Sequence, residues 1–100
     1  MSHFLLFYEL AADYLERRSR YRDAHLGLAW AAVERGELLL GGAVGDPVES
    51  ALLLFTRVAA ARAFAQADPY VAQGLVTRWS IAPWATVVGG EAANPVRPEG

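Results

Sequence analysis

The apolar positions along the chain follow first a strand pattern and then a helix pattern. Residues 3–9 form a short run of aromatic and branched side chains, which is typical of a mostly buried strand. Residues 13–35 contain no proline and only Gly27 as a glycine, and their apolar residues recur at the spacing of a helix. The predicted apolar face consists of Leu26, Ala29, Trp30 and Val33. Asp13 can cap the start of this helix, and Gly36 lies where a left-handed residue would end it.

Two further apolar runs, residues 37–43 and 49–56, are separated by a short segment with a glycine and an Asp-Pro pair. Such a segment favours a turn between strands, so the pattern predicts a hairpin. A second helix is predicted over residues 58–67, with Thr56 as its N-cap. Pro69 prevents that helix from continuing normally.

A last strand is predicted over residues 75–88, in which Pro83 marks a bulge or an edge position. The predicted order is βαββαβ, the ferredoxin-like arrangement of the α+β class, with an antiparallel sheet and both helices on one face. The other face would be apolar and uncovered, so we expect a second copy to cover it and predict a homodimer. Residues 1–88 form the predicted domain, and residues 89–100 are expected to be a mobile tail.

The composition supports an oligomer and argues against two classes of partner. Hydrophobic residues make up 54% of the chain and charged residues 20%, whereas about 45–50% and 25% are usual in soluble domains. The net charge of −2 provides no basic stripe for nucleic acid and no polybasic patch for anionic lipid. We therefore expect neither nucleic acid nor a membrane as a partner.

The chain has no cysteine, so it offers neither a disulfide framework nor a thiolate nucleophile. Its first residues lack the pattern of a secretory signal, and no apolar run approaches the roughly 20 residues that span a bilayer. Together these observations predict a soluble cytoplasmic protein.

Four polar residues are explained least well by periodicity and turns, namely Arg22, His25, Asp68 and Tyr70. A histidine in a helix and an aspartate where a second helix ends could form an acid/base pair, because the carboxylate can hold the imidazole in one tautomer and stabilise its protonated form. We expect His25 and Asp68 to meet within one subunit, directly or through one water. Arg22 shares a helical face with His25 and could bind an anionic substrate group, and Tyr70 could donate a phenolic hydrogen bond.

Each of these residues also has a structural interpretation. His25 lies one residue off the predicted apolar stripe and could be a boundary histidine that only makes local hydrogen bonds. Asp68 before Pro69 is ordinary turn chemistry at a helix end. A surface salt bridge is the slightly favoured role for Arg22, and aromatic core packing is the more usual role for a residue such as Tyr70.

Other chemistries find little support in the sequence. No cluster of His, Cys, Asp and Glu has the spacing of metal ligands, so neither zinc nor iron is implied. Gly41, Gly42 and Gly45 are not followed by the Lys-Ser/Thr pair of a phosphate loop. The serines lack the context of a nucleophile elbow. The sequence therefore indicates no metal and no cofactor.

Several short motifs together resemble the YciI-like, or YCII-related, domains over about residues 3–84. They are an aromatic first strand, Arg22-x-x-His25-Leu26, a glycine-rich end of the second strand, Asp68-Pro69-Tyr70 followed by Gly74, and Pro83-Trp84. The resemblance implies a ferredoxin-like fold that forms a dimeric α/β barrel, with His25 and Asp68 as the active-site pair. The chain departs from the family in its second strand, where Leu40-Gly41-Gly42-Ala43 replaces a small residue followed by Ala-Gly-Pro.

Two functional hypotheses result. In the first, the protein is a small cofactor-independent enzyme that performs elimination, isomerisation or hydrolysis on a small polar or aromatic molecule. His25 would be the general acid or base, Asp68 would orient it, and Arg22 or Tyr70 would bind the substrate. In the second, the protein is a non-catalytic dimeric binding or accessory domain with a structural His-Asp pair. A cavity distinguishes them, because an enzyme would expose both side chains there and a structural pair would be sealed from solvent.

Overall fold

The computed structural model describes residues 2–99 of the chain. The elements of this part are β1 (His3–Leu10), α1 (Tyr14–Glu34), β2 (Leu38–Val44), β3 (Ser50–Phe55), α2 (Val58–Ala67), α3 (Pro69–Ala72) and β4 (Val76–Trp84). The predicted order of strands and long helices is confirmed. The single turn of α3 is an addition, and it begins at the proline that ends α2.

The strands form one antiparallel sheet in the order β2-β3-β1-β4. β1 is paired on both sides, with β3 and with β4, and β2 pairs with β3. This is the ferredoxin-like topology of the α+β class, so the predicted fold class is confirmed. Pro83 lies on β4 at an edge of the sheet, where a missing backbone N–H is tolerated.

The two faces of the sheet differ because successive strand residues point to opposite sides. On β1, Leu6 and Tyr8 are 0% and 1% exposed, whereas Phe7 between them is 39% exposed. On β3, Leu53 and Phe55 are buried in the same core. The helices therefore cover one face, as predicted, and no helix of residues 2–99 covers the other face.

α1 contacts the core through a wider stripe than the predicted one. Ala29 and Val33 of the predicted face pack against the core, and the other apolar residues of α1 that are buried or pack there are Tyr14, Tyr21, Leu28 and Ala32. His25 falls between them at the spacing of one helical face, so it lies in the core stripe and not beside it. The expectation that His25 is one residue off the apolar stripe is therefore wrong.

The predicted face of α1 also borders a cavity. Leu26 is 38% exposed and Trp30 is 64% exposed, while Ala29 and Val33 are partly buried. All four line the cavity between α1 and the sheet. The apolar periodicity correctly identified the side of α1 that faces the sheet, but it could not distinguish residues that line a cavity from residues packed in the core.

The ends of the helices confirm one predicted cap and correct two. Gly36 has a φ of 76°, and the N–H groups of Gly36 and Glu37 return to the last turn of α1, as expected for a left-handed C′ glycine. Asp13 occupies the N-cap of α1 but makes no side-chain cap hydrogen bond. The N-cap of α2 is Arg57, not Thr56. The Thr56 hydroxyl instead donates to the Gly36 carbonyl at 2.9 Å, which ties the start of α2 to the end of α1.

The last strand ends at Trp84, four residues before the predicted end, because the chain then folds back on itself. The Thr86 hydroxyl lies 2.6 Å from His3 Nδ1 and accepts from the Ala93 N–H at 2.8 Å. The Val96 N–H also donates to the Val87 carbonyl. The segment after β4 therefore makes contacts that its composition did not indicate, and its mobility stays a prediction.

Within residues 2–99, none of the helices combines the length and the apolar character that a membrane crossing requires.

Candidate functional site

Asp68 is positioned by the junction between α2 and α3. It is at once the C-cap of α2 and the N-cap of α3, with an extended backbone. Its N–H donates to the Phe64 carbonyl at 2.9 Å, and its Oδ1 accepts from the Tyr70 N–H at 3.0 Å. Pro69 at the first helical position loses no bond, since that N–H has no partner in a helix. The Asp-Pro-Tyr sequence thus fixes a carboxylate at a helix start.

His25 on α1 reaches this carboxylate. Its Nδ1 lies 3.0 Å from both Oδ1 and Oδ2 of Asp68. An ionised carboxylate only accepts hydrogen bonds, so Nδ1 carries the hydrogen and donates it. The structure thereby brings together two residues that are 43 positions apart in the sequence. The lone pair of the neutral ring is left on Nε2.

A third residue, Tyr8 on β1, completes the surroundings of Asp68. Its hydroxyl donates to Asp68 Oδ2 at 2.7 Å. Asp68 is 0% exposed, and a buried carboxylate is costly unless several donors compensate for lost water. Tyr8, the Tyr70 N–H and His25 are the donors that do so. Burial, together with the charge of Asp68 and the hydrogen bond to it, raises the pKa of Tyr8 far above its usual range, so Tyr8 stays a donor.

Aromatic rings hold the imidazole of His25 in one plane. The Tyr70 ring is stacked on it with a centroid distance of 4.0 Å and an interplanar angle of 10°. Phe64 meets its edge at 6.0 Å, and Tyr14 meets Tyr70 edge to face at 5.6 Å. The π face of a phenol also stabilises a neighbouring cation. The stack therefore orients the imidazole of His25.

His25 faces a cavity of about 320 Å³ between α1 and the β2-β3 half of the sheet. Its side chain is 16% exposed, whereas that of Asp68 is 0% exposed. Asp68 does not line the cavity. The enzyme hypothesis expected both side chains to be exposed in a cavity, and only His25 is. A carboxylate that acts through the histidine does not need to reach the substrate, since its task is to fix the tautomer and balance the charge.

The two predicted substrate-binding residues also border this cavity. Tyr70 is 3% exposed and uses its ring mainly for stacking, which agrees with the core-packing interpretation. Burial, with a contribution from Tyr14, raises the pKa of Tyr70 to about 12, although Arg22 and Arg18 partly oppose this. Its phenol is therefore protonated at neutral pH. Arg22 is exposed at the cavity wall.

Sequence reasoning missed several residues that line the cavity, among them Tyr8 and Arg18. Trp30 was placed on the apolar face of α1 but was not recognised as lining a cavity. Tyr8 could have been placed on the buried face by the alternation of β1, but its contact with Asp68 spans 60 positions and has no local signal. Arg18 had a usable signal. It lies four residues before Arg22 and seven before His25, which is the spacing of one helical face.

The described residues show no group of three or more His, Cys, Asp or Glu side chains that could hold a metal ion. His3 lies apart from the site, with its Nδ1 at the Thr86 hydroxyl and its Nε2 buried without a partner. The chemistry available at the cavity is therefore that of one imidazole, its buried carboxylate, phenols and guanidinium groups.

No family profile matches the chain. The chain is, however, 32% identical over 95 residues to Protein YciI of Escherichia coli O6:H1 (strain CFT073) and of Shigella flexneri. These matches cover 84% of this chain and 97% of those proteins. The match therefore spans most of this chain and nearly the whole length of both relatives.

A solved structure with a similar fold is 5-chloro-2-hydroxyhydroquinone dehydrochlorinase (TftG) from Burkholderia phenoliruptrix AC1100, in complex with 2,5-dihydroxybenzoquinone. It has a TM-score of 0.68 and 18% identity, and the match covers 84% of this chain and 94% of that chain. This likeness agrees with the ferredoxin-like topology described above. The sequence identity to the two curated proteins, over nearly their whole length, shows that the chain belongs to the YciI family.

Proposed function

We propose that the protein is a cofactor-independent enzyme that uses His25 for proton transfer on a small ring compound. The observation that carries this proposal is the arrangement around His25. Nδ1 is held at 3.0 Å by a fully buried carboxylate, and the ring lines a cavity large enough for a small molecule. An imidazole with one nitrogen fixed and the other free is suited to general acid/base catalysis.

The proposed reaction class is elimination. Nε2 of His25 takes a proton from a C–H or O–H group of the substrate. The electron pair of that bond forms a new C=C or C=O double bond, directly or with a shift of the neighbouring ring double bond, and the leaving group departs with its own bonding pair. Asp68 stabilises the imidazolium by its charge, and Tyr8 keeps the carboxylate in place. The imidazolium then returns its proton to the leaving group or to water. TftG, which has the same fold, is named a dehydrochlorinase and was solved with a quinone, which supports a ring substrate.

A purely structural role for the pair is supported by one observation, the complete burial of Asp68. Three hydrogen-bond donors meet at this carboxylate, and such a network also stabilises a fold. The alternative is a dimeric binding or accessory domain that uses the same cavity without turnover. The two functions differ in what the loss of the imidazole does, since a binding domain would keep its function without a base.

The proposed enzyme is a homodimer. The uncovered face of the sheet carries apolar side chains at Phe7, Leu40, Val44 and Trp84, which are 39%, 72%, 42% and 48% exposed. Large apolar side chains that are exposed on one face of a sheet often mark an interface. A second copy could cover it by placing the two sheets face to face. An interface of this type should bury at least about 1,200 Å² in total.

The test of the proposed function is turnover of 5-chloro-2-hydroxyhydroquinone, followed as chloride release, by the wild type and by His25→Gln. The glutamine keeps a polar side chain of similar reach but cannot act as a base. We expect turnover to fall by about 10²–10⁴-fold. The matched control is His3→Gln, which removes the other histidine on the opposite face of the sheet and should retain activity. Equal turnover by His25→Gln and the wild type would overturn the proposal.

A further inference from the structure

Two guanidinium groups border the same cavity as His25. Arg18 and Arg22 lie one helical turn apart on α1, and both belong to the cavity wall. The Arg18 guanidinium carbon lies 5.9 Å from the centre of the Tyr14 ring, so this side chain is held over an aromatic face on the cavity side. The base and the two cations therefore share one face of one helix.

Neither cation is neutralised by a carboxylate within the described chain. The ion pairs of arginine in residues 2–99 are Arg17 with Asp13, Arg35 with Glu37 and Arg57 with Glu37. The other carboxylates of the first half of α1 are Glu16 and Asp23. Glu16 lies four residues before Arg20 and Asp23 lies three residues after it, so both share a helical face with Arg20 and not with Arg18 or Arg22. No acidic residue lies three or four positions from Arg18 or Arg22.

The two arginines instead lie at positions i and i+4 of one helix. Like charges at positions i and i+4 of a helix repel and destabilise it. Such a pair at the wall of a cavity is unfavourable when the cavity is empty, and an anion bound between the two groups would remove the repulsion. Arginine also binds carboxylates in a forked, bidentate geometry, which a bound anion could use.

The remainder of the cavity favours an apolar body attached to that anion. Its walls include Leu26, Ala29 and Trp30 of α1 and the glycine-containing part of β2. Trp30 is 64% exposed, so its ring is available to stack on a flat ligand. The cavity volume of about 320 Å³ fits one small ring with a substituent, since ligand pockets begin at about 300 Å³.

We propose that the substrate is a small ring compound with an anionic oxygen group, a carboxylate or an acidic ring hydroxyl, which is bound between Arg18 and Arg22 while the ring lies beside His25. This inference rests on the proposed function and extends it by naming the substrate class. Arg18 then becomes a specificity-determining residue, because it supplies half of the anion site. The anionic group anchors the molecule at one end, and the group that loses its proton lies one helical turn away, at Nε2 of His25.

The test compares two probes of equal shape, benzoate and the neutral benzamide, by calorimetric titration. The wild type should bind benzoate at least about tenfold more tightly, since hydrogen bonds to charged groups discriminate by about that factor or more. Arg18→Gln and Arg22→Gln should each weaken benzoate binding, and the double variant should bind both probes equally. Raising the salt concentration should weaken benzoate binding and leave benzamide unchanged.

The matched control is Arg20→Gln, which removes an arginine of the same helix that lies beside Glu16 and Asp23. It should keep the preference for benzoate. Equal affinity of the wild type for both probes, or no binding of either at millimolar concentration, would overturn the inference. These outcomes are independent of the test of the proposed function, which measures the effect of His25→Gln on turnover. A protein could lack anion preference and still need His25 for turnover, or prefer benzoate and turn over its substrate without His25.

Discussion

At the residue scale, the site combines a buried carboxylate, which accepts hydrogen bonds, with a partly exposed imidazole, which borders the cavity. Asp68 is 0% exposed and His25 is 16% exposed at the side chain. Asp68 accepts from Tyr8, from the Tyr70 N–H and from His25. A substitution at Asp68 therefore disturbs three contacts, whereas a substitution at His25 removes one of them and opens the cavity.

This difference sets the expected stabilities of two variants. Asp68→Asn places an amide N–H₂ group among three donors, and we expect it to lower the free energy of unfolding by about 1–3 kcal/mol. Each kcal/mol corresponds to a fall in Tm of about 4–8 °C for a domain of this size. His25→Gln should lower Tm by less, because its ring borders the cavity. Thermal melts of both variants measure this. Equally large losses in both would support a purely structural pair.

The raised pKa values of Tyr8 and Tyr70 lead to an expected alkaline transition. In the unfolded chain a tyrosine ionises near pH 10, whereas Tyr70 in the folded protein ionises near pH 12 and the pKa of Tyr8 is also raised. The folded state therefore holds more protons in this range, so its stability is present below pH 10 and is lost between about pH 10 and 12. Denaturant titrations across this range should show the loss, and Tyr70→Phe should reduce its slope. Stability that stays constant up to pH 12 would contradict the expectation.

At the element scale, the sequence predicts most of the fold because its strands and helices carry consistent local signals. The bounds of α2 match the predicted residues 58–67, and Gly36 ends α1 with a positive φ. The face of α1 was predicted only in part, because the apolar surface of this helix is wider than one stripe. Ala29 and Val33 pack against the core as predicted, whereas Leu26 and Trp30 border the cavity.

The candidate site was predictable only in part. Arg22, His25, Asp68 and Tyr70 stood out by type and position, and all four surround the junction of α1 with α3. The hydrogen bond from Tyr8 to Asp68 joins residues 60 positions apart, and only the completed sheet brings them together. Thr56 illustrates the same limit, since its hydroxyl bonds to the end of α1 and not to its own helix.

The two glycines of β2 offer a test of the cavity wall. An added Cβ at Gly41 would lie 3.3 Å from Leu53 Cγ, whereas one at Gly42 would have nothing within 4 Å. Leu53 is buried under the helices, so Gly41→Ala should displace it and narrow the cavity. We expect Gly41→Ala to weaken binding of benzoate, measured by calorimetry. Gly42→Ala is the matched control and should bind as the wild type does. Equal affinities in the two variants would place the ligand elsewhere.

At the scale of the whole molecule, the helix-free face of the sheet is the surface through which we propose that two copies associate. Light scattering at micromolar concentration should give twice the chain mass of 10.8 kDa. Phe7→Lys introduces a charge on that face and should give monomers, because an unpaired charge in an apolar interface is costly. Leu15→Lys is the control, since Leu15 is 50% exposed on α1 and away from this face. A wild type that is monomeric under these conditions would refute the homodimer.

The most direct test of the central claim is the protonation state of His25, read by long-range ¹H–¹⁵N correlation NMR of the uniformly labelled protein. At a pH where His25 is neutral, the hydrogen should reside on Nδ1, beside Asp68, and Nε2 should show the chemical shift of an unprotonated nitrogen. His3→Gln assigns the signals by removing the other histidine. In Asp68→Asn, the preference for the Nδ1–H tautomer should weaken or reverse. A neutral His25 with its hydrogen on Nε2 in the wild type would leave no base facing the cavity, and it would contradict the proposed role.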